Sequence, residues 1–225
     1  MTPSMDASTP QEISLRQSII ATAQDLNRRG FCPSKSGNVS ARWQDGFIIT
    51  PSGVQYDDLT PDDLVFMTAE GKPSSATRKG LRPSSEWRFH EAIYHKHKEA
   101  EAIAHTHSPM ATALSCARKP IPAFHYMIAL AGGSDIRCAD YATFGTEELA
   151  IEMLKALEGR KAVLLANHGV VAFGKSLLGA ASLVIEVENL ASQYLALLAA
   201  GLEPVILDDK EMARVQKSFA GYDKA

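Results

Sequence analysis

Residues 102–107 read AIAHTH, a short apolar segment that carries two histidines separated by one residue. The segment predicts a buried strand, because Ser108 and Pro109 directly after it stop an extended run and start a helix. Side chains in a strand repeat every two residues, so His105 and His107 are expected to point to the same face. Two imidazoles at that spacing can converge on one metal ion.

A third histidine lies in the segment AVLLANHGVVAFG (162–174), which predicts two paired strands around a turn. His168 is expected to end the first of these strands, just before Gly169, where it can project from a sheet edge into a cleft. Three neutral imidazoles favour zinc, or cobalt or manganese, over calcium or magnesium. The spacing alone does not show that His168 meets the earlier pair, and a lone H-x-H is weak support for a metal site.

Three other histidines fall on a predicted helix that opens around residues 83–86. Metal binding is not expected for any of them. Charged neighbours predict that His95 and His97 belong to a solvated face, while the role of His90 stays open.

Outside these segments, apolar periodicity predicts alternating helices and strands in a single domain. Many connections are short and hairpin-like, so we expect an antiparallel or mixed sheet that is covered by helices on both faces. Residues 1–10 are predicted to form a flexible N-terminal tail, although Thr9 and Pro10 also match the start of a helix. The other predicted elements are strands at 39–43, 47–50 and 64–68, and helices after Pro109, from Thr146 towards Gly159, from 176 to 200 and at the C-terminus.

The composition excludes several classes of function. A formal net charge of −3 over 225 residues argues against a nucleic-acid surface, which would show a basic stripe. No apolar run is long enough to span a bilayer, and the first ten residues lack the features of a secretory signal. Three widely spaced cysteines are typical of free thiols in a reducing compartment, so we expect a cytoplasmic location without membrane partners.

Three segments rich in serine and glycine are candidates for binding one phosphate without any lysine. They are residues 36–38, residues 50–53 and the helix start around Ser84 and Ser85. Glycine lets backbone N–H groups approach an anion closely, and hydroxyls and amides add donors. Each segment singly is also typical of an ordinary turn. Glu86 in the first turn of the helix is likewise explained by the helix dipole alone.

Taken in order, seven segments resemble the class II aldolase/adducin family. The resemblance covers most of the chain from about residue 15 to its end, and within the family the pattern is most similar to that of L-fuculose-1-phosphate aldolases. The segments are SGNVSAR (36–42), ITPSG (49–53), RPSSEWRFH (82–90), HTHS (105–108), IPAFHYMIALAGG (121–133), YATFGT (141–146) and NHG (167–169).

The resemblance implies a single three-layer α/β/α domain, residues 11–225, around a central and mainly antiparallel sheet. It also implies a homotetramer with sites between subunits. One zinc ion per subunit would be held by His105, His107 and His168, with Glu86 as fourth ligand in the free enzyme and as acid/base once substrate displaces it. Tyr126 would reach a neighbouring subunit's site, and Tyr222 is a further catalytic candidate. The implied phosphate contacts are Gly37, Asn38, Ser52, Gly53, Ser84 and Ser85.

The implied reaction is retro-aldol cleavage of a ketose 1-phosphate, similar to L-fuculose 1-phosphate, into dihydroxyacetone phosphate and a small aldehyde. Rivals within the family are a pentulose 5-phosphate 4-epimerase, a sugar-acid phosphate decarboxylase and a thio-sugar phosphate dehydratase. The epimerases resemble PSSD where this chain has Ser84-Ser85-Glu86, which favours the aldolase. Adducin-like interaction modules lack the complete metal set. The segment 72–80 and the N-terminal tail exceed the family pattern.

Overall fold

The computed structural model describes residues 9–73 and 80–222. Its helices are α1 (Pro10–Arg28), α2 (Trp87–Lys96), α3 (Pro109–Cys116), α4 (Glu147–Leu157), α5 (Leu177–Ala199) and α6 (Asp209–Tyr222). Its strands are β1 (Asn38–Trp43), β2 (Gly46–Ile49), β3 (Val65–Met67), β4 (Ala102–Thr106), β5 (Ile121–Pro122), β6 (Asp135–Ile136), β7 (Cys138–Ala139), β8 (Ala162–Leu165) and β9 (Gly169–Gly174).

The central sheet has seven strands in the order β3-β2-β1-β4-β9-β8-β7, and β5 and β6 form a separate two-stranded pair. Every neighbouring pair in the large sheet is antiparallel except β7 and β8, which are parallel. The predicted, mainly antiparallel sheet is therefore confirmed. Its middle strands, β1, β4 and β9, are distant in sequence and meet through long-range pairing.

Alternating side chains of the middle strands build one hydrophobic core on each face of the sheet. Ala102 and Ala104 of β4 contribute to the core with α1, α3 and α5, whereas Ile103 contributes to the core with α2 and α4. This two-residue period follows from strand geometry. The predicted three-layer α/β/α arrangement is thus confirmed, and His105 follows Ile103 on the α2 face, where its ring lies edge-on to Phe89 at 5.3 Å.

The start of α1 agrees with its sequence signals. Thr9 is the N-cap, its hydroxyl accepts the Glu12 N–H at 3.2 Å, and Pro10 is the first helical residue. The predicted tail therefore extends no further than the cap, and residues 1–8 lie outside the described residues. The cysteines Cys32, Cys116 and Cys138 are free thiols, as predicted. None of the described helices combines the length and the apolar character that a bilayer span requires.

Two predicted element boundaries, one near His168 and one at Glu86, were wrong. The first strand of the 162–174 pair ends at Leu165, because Asn167 has a left-handed φ of 55° that bends the chain, so His168 lies in the turn before β9. The second helix begins at Trp87, so Glu86 is its N-cap and does not lie in its first turn. The Glu86 side chain makes no capping hydrogen bond, and its carboxylate is free for other contacts.

The helix that follows the H-x-H strand is held by a carboxylate from α5. Ser108 is the N-cap of α3 but makes no side-chain capping bond. Instead, Glu188 accepts hydrogen bonds from the Met110 and Ala111 N–H groups, both at 2.8 Å. A buried carboxylate at a helix N-terminus is favoured by the helix dipole and by its charge-assisted hydrogen bonds.

We expect Glu188→Gln to lower the free energy of unfolding by about 2 kcal/mol, the scale of hydrogen bonds to a charged group. The amide oxygen of glutamine can accept a hydrogen bond from one of the two N–H groups. Its NH2 group then faces the other N–H, so two donors meet and that hydrogen bond is lost. Urea denaturation followed by circular dichroism measures the change. Glu186→Gln, on the same helix, is the control, and equal midpoints for the two variants would contradict this role of Glu188.

Candidate metal centre and active site

The end of β4 and the turn before β9 bring three histidines together. Strand β4 pairs with β9 so that Thr106 lies opposite Val170, which places His168, two residues earlier, beside the end of β4. His105 is completely buried, while His107 and His168 are half-buried. Gly169 allows this approach, because a Cβ at that position would lie only 2.3 Å from the Thr106 carbonyl oxygen.

The three imidazole rings surround one point. Their centroids are 4.8–4.9 Å apart in each of the three pairs, and their planes are nearly perpendicular. Nε2 of His105 lies 3.1 Å from Nε2 of His107. The Glu86 carboxylate completes the group, with Oε2 3.2 Å from His105 Nε2 and Oε1 3.0 Å from His168 Nε2. One ligand atom from each of the four residues lies within 4.8 Å of all the others.

Hydrogen bonding shows why these four groups suit a cation. His105 Nδ1 donates to the Val170 carbonyl oxygen at 2.9 Å, so in the neutral ring the Nε2 lone pair faces the cluster. Glu86 Oε1 is buried and makes no hydrogen bond, although His168 Nε2 is only 3.0 Å away. Lone pairs that lie this close together repel one another when no hydrogen-bond donor separates them. A divalent cation bound between them replaces this repulsion with attraction. Three imidazoles and one carboxylate are typical ligands of zinc and related transition metals.

The charges within the cluster agree with this donor set. Burial raises the pKa of Glu86, but His105 and His168 lower it and outweigh burial, so its pKa lies well below the usual range. Burial, with smaller contributions from His105 and His168, lowers the pKa of His107 to about 3. Glu86 is therefore a carboxylate and His107 a neutral imidazole at neutral pH, which are the metal-binding forms.

Asn38 connects the carboxylate to the first strand of the sheet. Its Nδ2 donates to Glu86 Oε2 at 3.0 Å and to the Ser84 hydroxyl at 2.9 Å. Its Oδ1 accepts from Nε2 of His90 at 2.5 Å, and Nδ1 of His90 lies 2.7 Å from the Ser40 hydroxyl. These contacts fix which way the Asn38 amide faces.

His90, whose role the sequence left open, orients Asn38 from a fully buried position. Burial, helped by His105, lowers its pKa to about 3, so the ring is neutral and donates through Nε2. Its position four residues after Glu86, on the same helical face, was the available signal. Among the described residues, the candidate metal-binding group, which we call the metal-type cluster, consists of Glu86, His105, His107 and His168. None of His90, His95 and His97 belongs to it. His95 is exposed as predicted, but His97 is half-buried with its ring against Phe173.

The cluster opens into a cavity of about 340 Å³. All six predicted phosphate contacts line it, namely Gly37, Asn38, Ser52, Gly53, Ser84 and Ser85. The three serine- and glycine-rich segments are thus brought together around Glu86, His107 and His168. The sequence analysis missed several further lining residues, among them Lys35, Tyr141, Phe144 and Asn167.

The geometry of the first segment requires glycine at position 37. Gly37 has a φ of 80°, and a Cβ there would lie 2.6 Å from the His105 carbonyl oxygen. The hydroxyl of Tyr56 donates to the carbonyls of Ser36 and Gly37 at 3.0 and 2.7 Å. These contacts hold the segment directly against the histidine strand.

Tyr126, one of the two predicted catalytic tyrosines, is not among the described residues that line this cavity. Tyr126 is exposed, and its ring stacks on His125 and Phe219, with centroids 4.9 and 6.2 Å away. Tyr222 ends α6, and its side chain lies outside the described residues. Residues 74–79 of the predicted 72–80 extension also lie outside them.

We expect alanine at any one of His105, His107 and His168 to reduce bound metal at least tenfold, because each substitution removes one ligand. Elemental mass spectrometry of the purified protein measures the metal per chain and identifies it. His95→Ala, which removes an exposed imidazole from α2, should keep the wild-type metal content. Stoichiometric metal in all three cluster variants would refute the site.

Comparisons with known proteins agree with this architecture. Residues 17–195 match the model of the family described as class II aldolase and adducin N-terminal domain. The chain is 49% identical to the 5-methylthioribulose-1-phosphate/5-deoxyribulose-1-phosphate aldolase of Rhodospirillum rubrum over 210 residues, which is 93% of each protein. It is 45% identical to the L-fuculose phosphate aldolase of Escherichia coli K12 over 208 residues, 92% of this chain and 95% of the relative.

A solved structure of an L-fuculose 1-phosphate aldolase superposes with a TM-score of 0.88 at 40% identity, over 96% of this chain and 99% of the other. The family match covers well over half of the chain, and the resemblance inferred from the sequence motifs is confirmed. The chain belongs to the class II aldolase and adducin family.

Proposed function

We propose that this protein is a zinc-dependent aldolase that cleaves a ketose 1-phosphate into dihydroxyacetone phosphate and a small aldehyde. The observation that carries the proposal is a single cavity lined both by three of the metal-type ligands and by three segments suited to phosphate. The relatives named as aldolases, 45% and 49% identical over more than nine-tenths of the chain, support the same reaction class.

The three serine- and glycine-rich segments (residues 36–38, residues 50–53 and the helix start at Ser84 and Ser85), called the phosphate segments below, would orient the substrate. Ser52, Ser84 and Ser85 offer hydroxyl donors, and Gly37 and Gly53 both have φ near 80°, which leaves their backbones bare to an approaching anion. A phosphate bound there fixes the three-carbon half of the substrate beside the metal-type cluster. Such positioning lowers the entropic part of the barrier before any bond breaks.

Cleavage of the carbon–carbon bond leaves negative charge on the dihydroxyacetone phosphate half. His105, His107 and His168 would hold a divalent ion here, and that ion would supply Lewis-acid stabilisation of the charge. Glu86 is a buried carboxylate beside this position and can move a proton to or from the adjacent carbon. General acid–base catalysis of this kind contributes roughly 10²–10⁴-fold. Asn38, through its bond to Oε2, keeps the carboxylate aimed at the cluster.

One part of the cavity wall favours an aldehyde with an apolar end. Tyr141, Ala142 and Phe144 line it, and the two aromatic side chains are more than half exposed. The sugars named for the relatives, L-fuculose, 5-deoxyribulose and 5-methylthioribulose, all end in a methyl group on the aldehyde half. We therefore propose a deoxy or methylthio ketose 1-phosphate as the substrate class.

Several expectations from the sequence stay predictions. They are the homotetramer, the reach of Tyr126 into a neighbouring subunit's site, the role of Tyr222, zinc as the metal and the cytoplasmic location. The exposed position of Tyr126, away from its own chain's cavity, is compatible with such a reach.

We expect the purified protein to condense dihydroxyacetone phosphate with lactaldehyde, acetaldehyde or methylthioacetaldehyde to ketose 1-phosphates. Glycolaldehyde, which ends in a hydroxyl, should react with a kcat/KM lower by about tenfold, since an apolar pocket discriminates by roughly this factor. Mass spectrometry of the products distinguishes aldol addition from epimerisation, decarboxylation and dehydration. Absence of any ketose 1-phosphate with all four aldehydes would exclude the proposed reaction.

We expect Glu86→Gln to lower the rate at which a carbon-bound hydrogen of dihydroxyacetone phosphate exchanges with solvent by about 10²–10⁴-fold, because the amide cannot accept the proton. The variant keeps the three histidines and should retain metal. Exchange in deuterated water, followed by nuclear magnetic resonance, measures the step without any aldehyde. Glu91→Gln, on the same helix but outside the cavity, is the control. Exchange at the wild-type rate in Glu86→Gln would assign the base elsewhere.

A further inference from the structure

Lys35 is the only lysine or arginine among the described residues that line the cavity. The other lining groups near the phosphate segments are hydroxyls, amides and backbone, and the sequence had predicted a pocket without lysine. A phosphate monoester carries a charge between −1 and −2 at neutral pH. The same cavity holds the Glu86 carboxylate, and the chain has a net charge of −3. Apart from the proposed divalent ion, Lys35 is therefore the one lysine or arginine side chain that the described lining residues offer to the charge of the ester.

The backbone places Lys35 at this position through an unusual conformation. Ser34 and Lys35 have left-handed φ values of 55° and 68°, and Gly37 follows with 80°. Left-handed φ is uncommon for residues other than glycine. The chain keeps two such residues in succession directly before the segment that lines the cavity, and this loop projects the lysine across to the neighbouring segment.

The ammonium group lies between two of the three phosphate segments. Lys35 Nζ donates to the Gly53 carbonyl oxygen at 3.3 Å, so this side chain, which directly precedes the 36–38 segment, reaches the 50–53 segment. That bond is long for its type and is made by an exposed side chain, which a stronger acceptor can replace. A phosphate oxygen is such an acceptor, since it carries a negative charge that the neutral Gly53 carbonyl lacks.

We propose that Lys35 is a phosphate-binding residue that exchanges its contact with the Gly53 carbonyl for an ionic contact with the substrate's phosphate. The inference rests on the proposed function and adds to it a side-chain cation that contacts the phosphate of the bound ester. Lys35 acts in binding, whereas bond cleavage depends on Glu86 and the histidine cluster.

Two substitutions separate charge from loop structure. Lys35→Met keeps the aliphatic stem and removes the charge, and Lys35→Arg keeps the charge. We expect Lys35→Met to raise the KM for the ketose 1-phosphate about tenfold with kcat changed less than about threefold, and Lys35→Arg to stay within about threefold of wild type in KM. Lys96→Met, at the exposed C-terminal end of α2, removes the same charge elsewhere and should leave both constants unchanged.

Inorganic phosphate tests the contact without catalysis. Calorimetric titration should show roughly tenfold weaker phosphate binding to Lys35→Met than to the wild type and to Lys96→Met, with a smaller loss of affinity as salt is added. Equal phosphate affinities in Lys35→Met and Lys96→Met, or no phosphate binding to the wild type, would overturn the role of Lys35. If wild-type protein binds phosphate in a Lys35-dependent manner but forms no ketose 1-phosphate, the proposed reaction fails while the role of Lys35 stands.

Discussion

The antiparallel pairing of β4 with β9 is the constraint on which the site depends. Its register sets Thr106 opposite Val170, so the H-x-H pair at the end of one strand meets the turn that carries His168. The backbone contributes directly, because the Val170 carbonyl fixes the tautomer of His105. A shift of one residue would turn both the apolar core residues and the histidines of β4 to the opposite face. The same pairing that buries the core therefore also brings the candidate metal ligands together.

A chain of hydrogen bonds extends this rigidity to the carboxylate. Ser40 of β1 contacts His90, His90 orients Asn38, and Asn38 donates to Glu86. Strand β1 is itself paired with β4, with Asn38 opposite His105. The position of Glu86, the proposed base, and the positions of the three histidines are therefore set by the same three strands, β1, β4 and β9. Buried polar networks of this kind stabilise one arrangement when every member is paired.

Local rules predicted those parts of the molecule that depend on local sequence. Strand periodicity placed His105 and His107 on one face, and the capping signals at Thr9 located the start of α1. The position of His168 was misjudged, because the left-handed φ of Asn167 is stabilised by contacts with α3 that are distant in sequence. Lys35 belongs to no recognised motif, and the spacing of His90 from Glu86 did not by itself reveal its role, since both roles arise only when β1, α2 and two loops assemble. The union of the three serine- and glycine-rich segments came from the family resemblance and not from their spacing.

The two halves of the cavity differ in how firmly they are built, and this difference bears on substrate choice. The half proposed for dihydroxyacetone phosphate includes the buried side chains of Asn38, Ser84 and Glu86 beside the exposed serines Ser52 and Ser85. The half proposed for the aldehyde contains the exposed rings of Tyr141 and Phe144. The substrates named for the relatives share a 1-phosphate ketose half and differ in the aldehyde half. Because Tyr141 and Phe144 lie outside the strands β1, β4 and β9, we infer that substitution at this wall can alter the choice of aldehyde while the histidine cluster keeps its geometry.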